Sequence, residues 1–189
     1  MLDVLPPVDA RTRILDAAER IVQAKGVPAL TLEAAAREAG VSKGGLLYHF
    51  ASKETLLMGL LGRLADYISL DFDAVLEAQP AGPVRATHAV IAWAFDHPEA
   101  VCEQHQRSAA VFLAAFHHDP AMLDPIRAVF ARIRDRLRED ALPTGVALTV
   151  MAACDGLFMA ELFNMYPQTP EDRLAIRTAL EALVAAVLA

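Results

Sequence analysis

Apolar residues recur at helical spacing along almost the whole chain, and no segment alternates between apolar and polar residues as a strand would. The first predicted helix shows the pattern clearly, since one of its faces carries Ile14, Ala17, Ala18, Ile21 and Val22. Gly26 and Pro28 end this helix, because glycine is favoured just past a helix terminus and proline cannot continue one. Repeated along the chain, the pattern predicts an all-α protein of about nine helices.

Two short helices are predicted within residues 26–52. Thr31 can cap the first, which Gly40 ends. Ser42 can cap the second, which ends near Phe50. Helices this short are marginal in water and persist only when packed, so the pattern predicts a helix-turn-helix resting on the first helix. Its outward face is polar, small and cationic, as a surface for the DNA major groove requires: Ser42, Lys43, Gly44, Gly45, Tyr48 and His49.

Composition and charge sharpen this prediction. Of the 189 residues, 55% are hydrophobic and 22% charged, which excludes intrinsic disorder. The net charge of −7 argues against a general nucleic-acid coat protein. The charge is unevenly distributed, however, because residues 1–63 carry a net +1 and residues 64–189 a net −8. The overall acidity therefore does not exclude DNA binding by the first part of the chain.

Residues 31–54, TLEAAAREAGVSKGGLLYHFASKE, resemble the DNA-binding signature of the tetracycline-repressor (TetR) family, and the resemblance extends over about residues 10–60. Two positions depart from the family's pattern. Leu47 stands where many members have the first of two tyrosines, so one DNA contact is missing, and Ala51 replaces a frequent proline. The resemblance implies a DNA-binding domain at residues 1–55 and an effector-binding and dimerisation domain at residues 56–189.

The resemblance also implies a role for each matching residue. Thr31 and Lys53 would hold phosphates at helix N-termini, and Tyr48 would hold one through its hydroxyl. Ser42 would cap the recognition helix and touch phosphate, while His49 would contact phosphate or simply cover the helix. The start of the recognition helix would approach base edges with Lys43, Gly44 and Gly45. The implied partner is a double-stranded DNA operator.

The two C-terminal helices, predicted at about residues 144–166 and 171–188, carry more apolar surface than one small core needs. The first is apolar nearly all round and must be covered on both sides. This surplus predicts an isologous homodimer through a four-helix interface, which the resemblance implies as well. A merely well-buried core is the alternative. A long helix, capped by Ser52 and continuing to about Ala78, joins this part to the helix-turn-helix.

The middle helices hold most of the aromatic residues, which fits either a plain core or an apolar pocket with a few polar groups. Asp155 interrupts a nearly continuous apolar helix, and a buried carboxylate needs a partner. An arginine, a group of the second subunit or a ligand could fill that role. The residues expected to line a pocket for a small apolar effector are Trp93, His105, Phe112, Met151, Asp155 and Phe158.

Other chemistry is weakly indicated. Cys102 and His105 lie one helical turn apart, with His117 and His118 further on, but this is a poor set of metal ligands, and we expect neither metal nor cofactor. A run of arginines at 132, 134, 136 and 138 indicates a solvated helix face, with Arg136 paired to Asp140.

No nucleophile elbow, phosphate loop or paired catalytic carboxylates occur, so we expect no enzyme. A helical enzyme with a His/Cys/Asp site is the remote alternative.

Compartment and function follow from these features. Cys102 and Cys154 read as buried thiols of a reducing compartment. The N-terminus has no signal-peptide pattern, and the apolar stretch at residues 146–159 is short for a membrane span, so we expect a cytoplasmic protein without a membrane partner. The predicted function is a transcription regulator, a repressor released from a palindromic operator when a small apolar effector binds. A DNA-binding regulator without an effector is the alternative.

Overall fold

The computed structural model describes residues 9–96, residue 111 and residues 119–188, and within these the protein is entirely helical. The predicted all-α class is confirmed, and eight α-helices in the described part agree with the expected count of about nine. Short 3-10 helices at Val27–Ala29 and Pro120–Leu123 accompany them. The α-helices are α1 Ala10–Lys25, α2 Leu32–Ala39, α3 Lys43–His49, α4 Lys53–Ala78, α5 Arg85–Phe95, α6 Asp124–Glu139, α7 Thr144–Leu162 and α8 Pro170–Leu188.

The helices group into two compact units, and α4 begins in the first and ends in the second. The first unit contains α1 to α3 and α4 up to Leu64. Its core is formed by fully buried apolar side chains that each of these helices contributes: Ile14, Ala35, Leu46, Leu56 and Leu61. Burial of this kind holds the short α2 and α3 in place, because neither is long enough to persist alone.

The starts and stops of the short helices follow the predicted local signals. The Thr31 hydroxyl accepts a hydrogen bond from the Ala34 amide at 3.0 Å, and the Ser42 hydroxyl accepts one from the Gly45 amide at 3.0 Å. Gly40 ends α2 in the left-handed region at φ 65°, where a side chain would be strained. The predicted caps are confirmed, and they fix where α3 begins.

Gly59 lies where α4 packs closely against the rest of the first unit. A Cβ atom at this position would lie 2.7 Å from Cε1 of Phe50 and 3.0 Å from Cδ2 of Leu15. Phe50 is only 3% exposed, so its ring has little room to move. Gly62, one turn further along α4, has nothing within 4 Å of an added Cβ atom.

This contrast predicts opposite effects for the same substitution three residues apart. Gly59→Ala should lower the free energy of unfolding by about 1 kcal/mol, because overpacking outweighs the gain in helix propensity. Gly62→Ala should raise it by about 0.5–1 kcal/mol, because only the propensity gain remains. Urea unfolding followed by circular dichroism measures both. Stabilisation by both variants would show that α4 does not pack closely at Gly59.

In the second unit, two side chains close the connection between α4 and α5. The Arg85 guanidinium donates to the carbonyls of Leu76, Glu77 and Gln79 at 3.0–3.1 Å, which satisfies the exposed end of α4. Asp140, which follows α6, accepts hydrogen bonds from the amides of Ala86 and Thr87 at 3.2 and 2.7 Å. Arg85 therefore caps the end of α4, and Asp140 caps the start of α5.

The prediction that the arginines of α6 form a solvated face, with Arg136 paired to Asp140, is wrong in two respects. Asp140 does not pair with Arg136; it caps α5 instead, and Arg136 lies 3.6 Å from Glu139. Arg132 reaches α4, where it binds the Asp73 carboxylate at 2.7 Å and the Ser69 hydroxyl at 2.7 Å. Both errors arise because the spacing along a helix indicates local neighbours only.

The helix predicted at residues 144–166 ends earlier, at Leu162. Asn164 takes the left-handed conformation at φ 47°, the one non-glycine residue with positive φ among those described, and it turns the chain away from the helix axis. The Met165 amide then closes on the Ala160 carbonyl at 2.9 Å. Helix α8 begins at Pro170, one residue before the predicted start.

Candidate nucleic-acid interface

The outward face of α3 is the part of the first unit that its packing leaves open. Leu46 points into the core and is fully buried, whereas Tyr48 is 86% exposed and Leu47 40% exposed. Lys43 and Gly44 lie one turn earlier on the same side and are exposed as well. The structure therefore brings the predicted residues of the recognition helix to one solvent-facing surface.

Lys43 is held by a residue that the sequence reasoning did not single out. Its ammonium lies 2.8 Å from the carboxylate of Glu33 on α2. The hydrogen bond between them raises the pKa of Lys43 and lowers the pKa of Glu33, and their mutual attraction acts in the same directions. Both groups are charged at neutral pH, so the pair positions a cation beside the start of α3. A surface pair of this kind is weak and can open toward a phosphate.

Lys53 has a structural bond as well as its predicted role as a phosphate anchor. Its ammonium donates to the Val27 carbonyl at 2.9 Å and so ties the start of α4 to the turn between α1 and α2. A lysine ammonium has three donors, which leaves others for a phosphate oxygen. Thr31 and Ser42 each use their hydroxyl oxygen as an acceptor in a cap, and the hydroxyl proton remains available to a phosphate.

The end of α3 carries two aromatic contacts. The rings of Tyr48 and His49 meet edge to face with centroids 5.0 Å apart. Arg11, an exposed residue of α1 that the sequence reasoning missed, stacks its guanidinium 5.5 Å from the centre of the Phe50 ring. This contact places another cation near α3, and no local sequence signal identifies it because Arg11 and Phe50 lie far apart in the sequence.

Four of the six predicted effector residues are described, all in the second unit; His105 and Phe112 lie outside the described residues. Trp93 on α5 is half-buried, donates its indole N–H to Asp71 at 2.7 Å and packs edge to face against Phe72 at 5.5 Å. Met151 is buried on α7, while Phe158 is 37% exposed. Trp93 thus has a polar partner that sequence reasoning did not foresee.

Asp155 is half-buried on α7, and Arg134 of α6 is the charge that acts on it. Burial raises the pKa of Asp155, and the attraction of Arg134 offsets this only in part. Burial, reinforced by the negative charge of Asp155, also raises the pKa of the neighbouring Cys154 thiol to about 12, so this thiol stays protonated. Arg134 acts on Asp155 through charge attraction only, and the three partners predicted for Asp155, an arginine, a group of the second subunit or a ligand, stay predictions.

A metal site has no support in the part of the chain that the structure describes, where no group of three His, Cys, Asp or Glu side chains could hold an ion. The weak ligand set considered above, Cys102, His105, His117 and His118, lies outside the described residues.

The first unit therefore defines a class: a three-helix bundle with a capped helix-turn-helix and an exposed recognition helix, as in DNA-binding regulators. Family models agree. Residues 14–59 match the model "Bacterial regulatory proteins, tetR family", and residues 74–185 match "Tetracyclin repressor-like, C-terminal domain". The chain belongs to the TetR family of transcriptional regulators.

Individual relatives show how far the likeness extends. The chain is 41% identical over 64 residues to the uncharacterized HTH-type transcriptional regulator TtgW of Pseudomonas putida, a match covering 34% of this chain and 48% of that protein. The chain thus spans about half the length of this curated relative. It is 28% identical to the HTH-type transcriptional regulator BetI of Rhizobium meliloti, over 88% of this chain and 84% of that one.

Solved structures match this chain over more than nine-tenths of its length. A member of the TetR family from Streptomyces coelicolor superposes with a TM-score of 0.64 and 28% identity, covering 93% of this chain and 98% of that chain. The multidrug binding protein EbrR complexed with malachite green gives a TM-score of 0.68 and 25% identity, covering 93% and 98%. The likeness therefore includes the C-terminal helices, which sequence identity alone matches less clearly.

Proposed function

We propose that this protein is a dimeric transcription repressor that binds a palindromic DNA operator with α3 and is released by a small apolar effector. The exposed face of α3, positioned by the Thr31 and Ser42 caps, is the observation that carries the proposal. DNA would meet Lys43, Gly44 and Gly45 in the major groove. Phosphates would be held by Thr31, Ser42, Tyr48, His49 and Lys53.

The proposed dimer forms through α7 and α8. Both helices leave large apolar side chains exposed: Phe158, Leu174, Leu183, Val187 and Leu188. In the part of the chain described, α7 is the one helix long and apolar enough to cross a membrane, and core helices of soluble proteins meet the same criteria. We assign its uncovered surface to the second subunit and place the protein in the cytoplasm, where its operator is. An isologous pair would present two recognition helices to the two half-sites.

The effector part of the proposal rests on the second unit and on its relatives. Solved structures of the multidrug binding protein EbrR contain malachite green or ethidium. Trp93, Met151, Asp155 and Phe158 supply aromatic, apolar and acidic groups for such a ligand, and His105 and Phe112 remain predicted contacts. Because α4 belongs to both units, a ligand that favours one position of α4 would change the spacing of the recognition helices.

Binding of the protein to the DNA flanking its own gene, with and without a panel of apolar compounds, tests the proposal. We expect binding that a subset of compounds weakens, with a change in the fluorescence of Trp93, the chain's single tryptophan. DNA binding that no compound alters would favour the regulator without an effector. The enzyme alternative is not retained, because the family consists of transcriptional regulators.

Lys53 supplies a quantitative test of the phosphate contacts. Lys53→Ala should weaken operator binding uniformly across DNA sequences and reduce the slope of log affinity against log salt by about one per half-site. Fluorescence anisotropy of a labelled duplex at several salt concentrations measures the slope. Loss of the bond to Val27 should also lower stability slightly, which thermal unfolding separates from the salt effect.

The matched control is Lys25→Ala, which removes the same charge from an exposed lysine at the end of α1. This variant should leave the slope close to that of the parent protein. Equal slopes for Lys53→Ala and the parent would remove Lys53 from the DNA contacts and leave it a structural residue only.

A further inference from the structure

The residues on α3 also indicate how the operator sequence is read. We propose that the Leu47 side chain contacts the 5-methyl group of a thymine in each half-site, and that this contact sets the base preference there. The inference rests on the proposed function, since it assigns a specificity-determining residue to the same DNA surface. It concerns a position where the chain departs from the family's usual tyrosine.

Leu47 is the apolar side chain on the open face of α3. It is 40% exposed, whereas its neighbour Leu46 is fully buried in the core of the first unit. Part of the Leu47 side chain is therefore open to solvent, while the protein covers the rest. Its side chain is available to a partner outside the protein.

The surroundings of Leu47 leave room for a base pair. Gly44 lies one turn before Leu47 on the same face, and an added Cβ atom at Gly44 would have nothing within 4 Å. The helix surface next to Leu47 is thus bare backbone, which lets the edge of a base approach closely. A larger residue at position 44 would hold the DNA away from the leucine.

Few of the other side chains of this face can read bases. Residues 42–49 read SKGGLLYH and include no Arg, Asn or Gln, so Lys43 is the one residue among them of the types that form paired hydrogen bonds with purines. Lys43 is drawn toward Glu33 at 2.8 Å, and the Ser42 oxygen accepts the bond from Gly45. The thymine methyl is the apolar group that base pairs present in the major groove, so it is the chemical match for Leu47.

The experiment removes the thymine methyl group from the DNA and, separately, truncates the Leu47 side chain of the protein. Duplexes that bind the full-length protein are selected from a random pool, and each thymine of the selected half-site is then replaced by deoxyuridine. For the parent protein, one position per half-site should lose affinity about fourfold, the value expected for one buried methyl group. Leu47→Ala should bind the thymine and deoxyuridine duplexes equally.

The matched control is Leu70→Ala, the same truncation at a leucine of α4 that is 71% exposed and lies in the second unit. It should keep the full sensitivity to deoxyuridine. Circular dichroism checks that Leu47→Ala is folded, as the exposure of Leu47 leads us to expect.

Two results overturn the inference while DNA binding stands: the parent protein tolerates deoxyuridine at every position, or Leu47→Ala keeps the parent's sensitivity. Failure of the selection to enrich any duplex would instead overturn the proposed function, and this inference with it. The two failures are distinguished because the selection is completed before any thymine is replaced.

Discussion

Gly156→Arg is expected to convert the dimer into a folded monomer whose affinity for the operator is lower by about a hundredfold or more, since the two half-sites are no longer engaged together. Gly156 is exposed on α7, and an added Cβ atom there has nothing within 4 Å in the single chain. Arginine also favours a helix more than glycine does. The monomer itself should therefore tolerate the change.

The physical reason for the loss is burial of an unpaired charge. In an isologous interface the substitution is present on both subunits, so two guanidinium groups would enter the apolar contact between α7 helices. The free energy needed to bury two unpaired guanidinium groups exceeds the free energy that the apolar contact contributes. Sedimentation velocity measures the oligomeric state, and anisotropy of a labelled operator measures the affinity.

Gly82→Arg is the matched control, because Gly82 is exposed in the connection between α4 and α5 and has nothing within 4 Å of an added Cβ atom. This variant should remain dimeric and bind DNA. A Gly156→Arg protein that stays dimeric would exclude this face of α7 from the interface. A monomer that keeps the parent's affinity would show that dimerisation is not needed for DNA binding.

Asp140→Ala is expected to lower the free energy of unfolding by about 2–3 kcal/mol, because a charged helix cap is lost and a buried hydroxyl loses its acceptor. The Asp140 carboxylate accepts three hydrogen bonds, from the amides of Ala86 and Thr87 and from the Thr87 hydroxyl, at 3.2, 2.7 and 2.7 Å. Thr87 is completely buried, so its hydroxyl depends on the Asp140 carboxylate as its acceptor in the folded protein. Urea unfolding measures the loss.

Asp135→Ala provides the control, since it makes the same change nearby, on α6, at a carboxylate whose partner is the exposed Arg138, 2.5 Å away. Its effect should stay within about 0.5 kcal/mol, as is usual for surface pairs. Asp140→Asn, which keeps acceptor oxygen but not charge, should fall between the two. Equal small losses for Asp135→Ala and Asp140→Ala would mean that the cap contributes little to stability.

Much of the first unit could be predicted from local signals. The hydroxyl caps at Thr31 and Ser42 and the glycine stop at Gly40 act over three or four residues, and each occurs in the structure where the sequence indicates it. The family resemblance rested on the same region and was confirmed by the comparisons. The roles of the individual DNA-contacting residues remain predictions, since they depend on a partner molecule.

Predictions of side-chain pairing and of helix ends were less successful, because several partners distant in sequence can come within reach of one side chain. Asp140 was assigned to Arg136 from helical spacing, and it binds Thr87, 53 residues away in sequence. The helix predicted to reach Tyr166 stops at Leu162, because Asn164 adopts a turn that apolar periodicity does not reveal.

The sequence by itself determined the all-α class, the helix-turn-helix and the excess of apolar surface on the last two helices, because periodicity, caps and composition act locally or as sums. Only the tertiary structure decided which long side chains bind across helices: Arg132 to Asp73, Lys53 to Val27 and Trp93 to Asp71. Several alternatives of similar local energy exist for each of these groups. Packing of the helices selects one of them, by fixing which donors and acceptors come within reach.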